Sequence, residues 1–203
     1  MFSGASHYAD SVDNVMLLIV GISVIMLLGI TIAMIFFVIK YNRKRHPVAK
    51  QIEGNTILEV IWIVMPTVLV MIMFYYGYVG YIKLREDTPS SMTVKVTGRM
   101  WKFDFTYANG YKSDTLYLPV DRTTRLEMKS LDVIHSLYIP AMRIKEDLLA
   151  SQINYEILTP NKIGSYDIAC AEYCGLRHSY MYTKLVVMRQ EDFDKWLSSV
   201  KNN

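Results

Sequence analysis

Two hundred and three residues leave room for one ordinary globular domain, or for a smaller domain with one or two membrane spans. Hydrophobic residues make up 52% of the chain and charged residues 20%, with a mean hydropathy of +0.17, against about 25% charged residues in an average soluble domain, so the second arrangement is favoured. A net charge of +3, from 22 basic and 19 acidic side chains, is too small for a nucleic-acid binder working by phosphate neutralisation, and two cysteines are too few for a disulfide-dense scaffold, a four-cysteine zinc site or an iron–sulfur cluster.

The first predicted element is a transmembrane helix over 15–39, an uncharged run bounded by Asp13 and Lys40. About 20 apolar residues suffice to cross the hydrocarbon core. A cleavable signal is disfavoured, because no Lys or Arg precedes the run and the run exceeds a signal's apolar core of roughly 7–15 residues. The second span is predicted over 60–82, with Pro66 as a kink and Tyr75, Tyr76, Tyr78 and Tyr81 as an interfacial aromatic cluster. The intervening loop, 40–59, carries Lys40, Arg43, Lys44, Arg45 and Lys50, whereas the N-terminal tail has no basic residue. The positive-inside rule therefore places the loop in the cytoplasm, or on the matrix side of an organelle, and both termini outside. Residues 1–83 form this hairpin; residues 84–203 form an outer domain in an oxidising space, nearly neutral with 16 basic and 15 acidic side chains.

In the outer domain the pattern changes to period two with β-branched and aromatic residues. Strands are predicted at 92–97, 101–107, 115–118, 125–129, 133–139, 155–158, 165–169 and 183–188, a β-sandwich or barrel. Asn109-Gly110 suits a hairpin turn between the second and third of them, since both residues tolerate positive φ. Phe193, Trp196, Leu197 and Val200, after Glu191 and Asp192, read as a short amphipathic helix packed on the sandwich.

Chemistry concentrates in one segment, where Cys170, Cys174, His178 and Met181 stand at intervals of four, four and three. Thiolate, imidazole and thioether are soft ligands that suit copper electron transfer. His135 is the only other histidine of the outer domain and the natural second imidazole. Taken singly these residues have blander readings: a disulfide for the cysteines, a structural strand histidine, a core methionine. Zinc would accept two Cys and two His but gives no role to Met181. A c-type haem is excluded, because its attachment needs two residues between the cysteines and a histidine directly after.

Two N-terminal spans, the stretch Ser130-Leu131-Asp132-Val133-Ile134-His135-Ser136, and the run Cys170-Ala171-Glu172-Tyr173-Cys174-Gly175-Leu176-Arg177-His178-Ser179-Tyr180-Met181 together resemble subunit II of cytochrome c oxidase. The resemblance implies a cupredoxin-like sandwich holding a binuclear mixed-valence copper centre, CuA. Cys170 and Cys174 would bridge both coppers, His135 and His178 would each bind one, and Met181 and the Glu172 carbonyl would be weak axial ligands. Two bridging thiolates spread one electron over two metals, so bonding changes little on reduction; the thiolates must be deprotonated, which the metal promotes. Gly98-Arg99-Met100-Trp101-Lys102-Phe103 resembles the family's aromatic stretch, so Trp101 would receive electrons from cytochrome c. Lys102 and Phe103 stand where Tyr and Trp usually follow, and the alternative for Trp101 is a strand aromatic closing the sandwich.

The family's donor commonly docks on acidic residues. Here Asp104, Asp114 and Asp121 alternate with Lys102, Lys112, Arg122 and Arg125, so weak steering is expected, with a less basic or complex-held cytochrome as donor. The resemblance also implies a magnesium ion shared with subunit I through the Glu172 side chain, with Asp132, Lys145 and Asp147 near that interface and Ala150-Ser151 replacing the usual Pro-Gly. Glu59 matches the entrance of a proton channel, the alternative being an interfacial glutamate favoured by the helix dipole. The implied role is transfer of electrons one at a time to haem in subunit I, which reduces oxygen to water coupled to proton translocation. Neither span contains a histidine, so the haems belong to a partner. The implied setting is a bacterial inner membrane with the outer domain in the periplasm. Two alternatives remain open: the CuA subunit of a nitric oxide reductase, and a membrane-tethered copper chaperone, the latter opposed by Met181 and by Gly175 where such proteins carry Pro. A quinol oxidase subunit is disfavoured because that branch lacks the copper ligands.

Overall fold

The computed structural model describes residues 4–48, 54–85 and 92–200. Lys50, counted in the predicted basic loop, lies outside them. The chain divides into two compact units, Asp13–Ile82 and a second made of Lys83–Asn203 together with Met1–Val12.

The first unit is helical. Helix α1 spans Ala9–Lys40 and α2 spans Thr56–Arg85, each containing a predicted span, and both are long and apolar enough to cross a membrane. Their large apolar side chains are mostly exposed, as suits groups solvated by lipid rather than by a protein core. Pro66 lies inside α2. Asn55 caps that helix: its side-chain oxygen accepts from the Ile57 and Leu58 N–H groups at 3.0 and 3.3 Å.

The second unit is a sandwich of two five-stranded sheets. Its strands are β1 (Met92–Arg99), β2 (Lys102–Thr106), β3 (Lys112–Ser113), β4 (Leu116–Pro119), β5 (Thr124–Ser130), β6 (His135–Ile139), β7 (Ile144–Leu148), β8 (Asn154–Leu158), β9 (Gly164–Cys170) and β10 (Tyr182–Met188). One sheet has the order β3-β2-β1-β5-β8, the other β4-β10-β9-β6-β7. All eight predicted strands are present, and two were missed, β3 and β7. The turn at Asn109-Gly110 forms with Gly110 at φ +87°, but it joins β2 to the short β3. The predicted partner, β4, crosses to the other sheet and pairs in parallel with β10.

Alternation explains the core. Val94, Val96, Phe103, Phe105, Leu126 and Met128 point inward from the first sheet and meet Leu116, Leu118, Leu137, Ile168, Leu185 and Val187 from the second. Helix α3 (Gln190–Ser199) follows, with Phe193 fully buried and Trp196 4.5 Å from the Tyr117 ring and 5.2 Å from the Tyr107 ring. The start of the chain is bonded to this same unit, which the sequence did not announce. Ala5 donates to the Ala141 carbonyl at 2.7 Å and accepts from the Asn161 N–H at 2.9 Å, while the Ser6 hydroxyl donates to Met142 O at 2.8 Å.

Candidate metal centre

Strand β9 ends at Cys170 and β10 begins at Tyr182, so residues 171–181 form a loop across the end of one hairpin. Its neck is closed by the Cys170 N–H donating to Met181 O at 3.0 Å. Within it, a short 3-10 turn, His178–Tyr180, is reached through Gly175, whose φ of +111° an L side chain rarely adopts. The Ala171 N–H donates to Ser136 O at 3.2 Å, tying the loop to β6, the strand that starts with His135.

The donor atoms converge. Cys170 and Cys174 are free, with their Sγ atoms 3.8 Å apart. Cys170 Sγ lies 3.9 Å from His135 Nδ1 and 3.3 Å from the Glu172 carbonyl oxygen. Cys174 Sγ lies 3.6 Å from His178 Nδ1 and 3.9 Å from Met181 Sδ. Each thiol therefore has one imidazole nitrogen and one weak donor beside it. His135, Cys170, Cys174 and Met181 are buried and His178 is partly exposed. Burial, and Cys170 alongside, push the Cys174 thiol up to about 11, so without a metal it holds its proton at neutral pH.

Asp132 is the residue whose role the sequence did not reveal. Its Oδ1 lies 2.7 Å from His135 Nε2 and accepts from the Val133 N–H at 2.7 Å, and its Oδ2 accepts from the Met100 N–H at 2.8 Å. Burial raises its pKa, but these bonds outweigh burial and hold it below the usual carboxylate range. An ionised carboxylate only accepts, so Nε2 carries the hydrogen and the Nδ1 lone pair faces Cys170. Gly98 gives the imidazole its space: a Cβ there would sit 3.2 Å from His135 Cδ2 and 2.9 Å from Leu148 Cδ2. A glycine in a strand with close side-chain approach is the one signal that could have flagged it.

Trp101, in the turn between β1 and β2, donates from Nε1 to the Cys174 carbonyl at 3.1 Å and is thus joined to the loop. Phe103 points into the core rather than extending an aromatic surface. Lys145 lies 3.2 Å from Asp147 and 3.7 Å from the Glu172 carboxylate, and its bond to Asp147 raises its pKa. Asp132, expected near the same interface, is bonded to His135 Nε2. Glu59 stands in the first turn of α2, in the helical unit, its N–H donating to Asn55 O at 3.0 Å.

Comparisons with known proteins place the chain in a family. The family described as Cytochrome C oxidase subunit II, transmembrane domain, matches residues 2–78, and its periplasmic domain matches residues 111–188. Cytochrome c oxidase subunit 2 of Alkalihalophilus pseudofirmus is 30% identical over 90% of this chain and 57% of its own length. The probable cytochrome c oxidase subunit 2 of Rickettsia bellii is 27% identical over 88% of this chain and 75% of its own length. The chain thus spans little more than half of the first relative. The periplasmic domain of cytochrome oxidase subunit II from Bradyrhizobium japonicum superposes with a TM-score of 0.54 at 24% identity, over 57% of this chain and 96% of that one, a likeness of fold. With a cupredoxin-like sandwich, two membrane-spanning helices and both halves of one family matched in order, the chain belongs to the cytochrome c oxidase subunit II family.

Proposed function

We propose that the chain is the electron-accepting subunit of a cytochrome c oxidase in a bacterial inner membrane, taking electrons one at a time from a cytochrome c and delivering them to haem in subunit I, which reduces oxygen to water coupled to proton translocation. The residues that would hold a binuclear copper centre, CuA, are Cys170 and Cys174 as bridging thiolates, His135 and His178 through Nδ1, and Met181 and the Glu172 carbonyl as weak donors. The observation that carries the reading is the two-fold arrangement of donors: two free thiols 3.8 Å apart, each with its own imidazole Nδ1. A single zinc or a chaperone's single copper does not call for that pairing. When bound, the copper pair supplies reversible one-electron chemistry with little change in bonding.

The chain's own residues supply the rest. The buried cluster excludes water from three of the four side chains expected to bridge or bind most directly, which favours low reorganisation on electron transfer. Asp132 holds the His135 tautomer. Trp101 links the surface to the Cys174 carbonyl by one hydrogen bond and would admit electrons. The Glu172 carboxylate, 46% exposed, is accessible to a magnesium ion shared with subunit I. Glu59 would stand at a proton-channel entrance. In this reading the two spans form a hairpin within residues 1–83 and residues 84–203 form the periplasmic domain, the opening segment through Ala5 and Ser6 being bonded to the sandwich. Bonding of Ala5 and Ser6 to the sandwich supports that topology, since a chain start on the same side as the outer domain requires an even number of crossings.

The test is made on the purified complex. Cys170→Ser and Cys174→Ser should each abolish the mixed-valence copper optical and EPR signals while the protein still inserts; an unchanged spectrum in either variant refutes the assignment. Two coppers per chain mean electron transfer, and one labile copper means delivery. Haem analysis with oxygen and nitric oxide consumption identifies the final acceptor. Trp101→Ala should slow electron uptake and leave the copper spectrum intact.

A further inference from the structure

The charges that look interspersed in the sequence are sorted by the strands. Inward positions of β1, β2 and β5 are apolar or small, so their charged residues face outward together. On that face stand Lys95, Arg99, Lys102, Arg125 and Lys129. Among the described residues of β1, β2 and β5 only two carboxylates share it, Asp104 and Glu127, and neither leaves negative charge in surplus. Asp104 is held between Arg99 and Lys102, each at 3.0 Å, and Glu127 lies 3.5 Å from Arg125. Lys95 and Lys129 are exposed and form no ion pair among the described residues. Of the other two aspartates of the predicted mixture, Asp121 lies off these strands, 3.2 Å from His7, and Asp114 follows the edge strand β3 directly after Lys112 and Ser113. The second sheet shows no such surplus, since its outward cations pair with acids, Lys184 with Asp167 at 2.5 Å and Lys145 with Asp147 at 3.2 Å.

We propose that this basic sheet face is the docking surface for the electron donor, and that the donor presents an acidic face around its own redox centre. The inference rests on the electron-accepting function proposed above and names its partner. The location selects a redox protein over other anions, because the cations flank Trp101: Arg99 and Lys102 stand two residues before and one after it, and its indole is bonded to the candidate metal loop. A lysine-faced cytochrome would bring like charges together here, whereas an acidic one is attracted and oriented with its redox centre toward Trp101. The weak steering expected from the sequence is replaced in this proposal by repulsion of a basic donor and attraction of an acidic one.

The intact purified complex is mixed in stopped flow with two soluble c-type cytochromes of similar potential, one with an acidic and one with a lysine-rich haem edge. The acidic cytochrome should react faster at low salt, and its second-order rate constant should fall at least about tenfold from about 10 to about 300 mM salt. The variant carrying Lys95→Glu and Lys129→Glu should lose about tenfold of that low-salt rate and gain with the lysine-rich cytochrome. A lysine-rich cytochrome that reacts faster and slows with salt overturns the proposal, and so does a variant that changes neither rate. Flotation with phosphatidylglycerol vesicles is measured on the same samples; vesicle binding lost in the variant while both donor rates stay unchanged assigns the face to lipid and likewise overturns it. The copper EPR signal is recorded first: its absence refutes the electron-accepting reading itself, while a normal signal with the wrong salt dependence refutes the docking surface alone.

Discussion

Asp132→Asn tests whether a residue that touches no metal controls one. The amide keeps the size of the carboxylate and removes its charge and one acceptor. In the better of its two orientations the amide oxygen still faces His135 Nε2 and the Val133 N–H, at the positions now 2.7 Å away, but the NH2 group then confronts the Met100 N–H, now bonded at 2.8 Å. One bond is lost and two become neutral. A hydrogen bond to a charged group is worth roughly 1.5–3 kcal/mol and a neutral one roughly 0.5–1.5, so the His135 bond weakens by about 1 kcal/mol and the Met100 N–H loses its partner. The imidazole is then less firmly fixed in the tautomer that presents Nδ1 to Cys170. Partners of this kind typically govern metal affinity by about 10–100-fold, which is about 1.4–2.7 kcal/mol. Copper affinity measured by chelator competition on the purified complex should fall by that factor, with a changed EPR lineshape. The Trp101 turn, held to Asp132 through Met100, should loosen and shift its indole fluorescence. Copper affinity within about threefold of the parent and an unchanged lineshape would refute the reasoning, because His135 would then be oriented without Asp132.

Three further outcomes follow from single features. Gly98→Ala places a methyl 3.2 Å from His135 Cδ2 and 2.9 Å from Leu148 Cδ2; the leucine tip can yield but the pinned imidazole cannot, so thermal unfolding should show a loss of about 1–3 kcal/mol together with altered copper EPR. In the copper-free protein the raised Cys174 thiol, at about 11, should react slowly with iodoacetamide at neutral pH and about tenfold faster per unit up to that value, whereas a plateau near 8.5 would contradict the burial argument. The sign for stability is the same: the fold holds this proton more tightly than the unfolded chain, so the contribution is present below about pH 9 and lost as pH rises toward 11. Phe193→Ala removes a fully buried ring from the contact of α3 with Tyr107 and Trp196, 6.3 and 5.6 Å away, and should cost about 3–5 kcal/mol by denaturant titration, leaving copper content per folded chain unchanged.

What was legible in the sequence was whatever the chain encodes at short range. Eight strands showed as alternation; β3 did not because it is two residues long, and β7 did not because Lys145, Glu146 and Asp147 interrupt its apolar pattern on an edge strand. The charge surplus beside Trp101 was hidden for a related reason: which face a charge occupies depends on strand register, and Lys95, Arg99, Lys102, Arg125 and Lys129 came to share one face only through the pairing of β1 with β2 and β5. The docking of Ala5 and Ser6 had no local signal, since their partners Ala141, Met142 and Asn161 lie far along the chain.

The same division runs through the candidate metal centre and decides how much its motif means. Cys170, Cys174, His178 and Met181 occupy one loop, and spacing alone marks them, but that loop by itself is equally compatible with a disulfide or a single labile copper. The second imidazole changes this. His135 becomes a donor aimed at Cys170 only because three long-range or turn contacts act together: the Asp132 carboxylate on Nε2, the missing side chain at Gly98, and the bond from Ala171 to Ser136 that holds the loop against β6. Each belongs to the folded sandwich and none to the motif. It follows that copper-free protein should already hold these donors near their positions, so metal uptake fills an existing site rather than folding one. Near-ultraviolet dichroism of the outer domain should therefore change little on copper removal, and a collapse of that signal would show instead that the metal organises the loop.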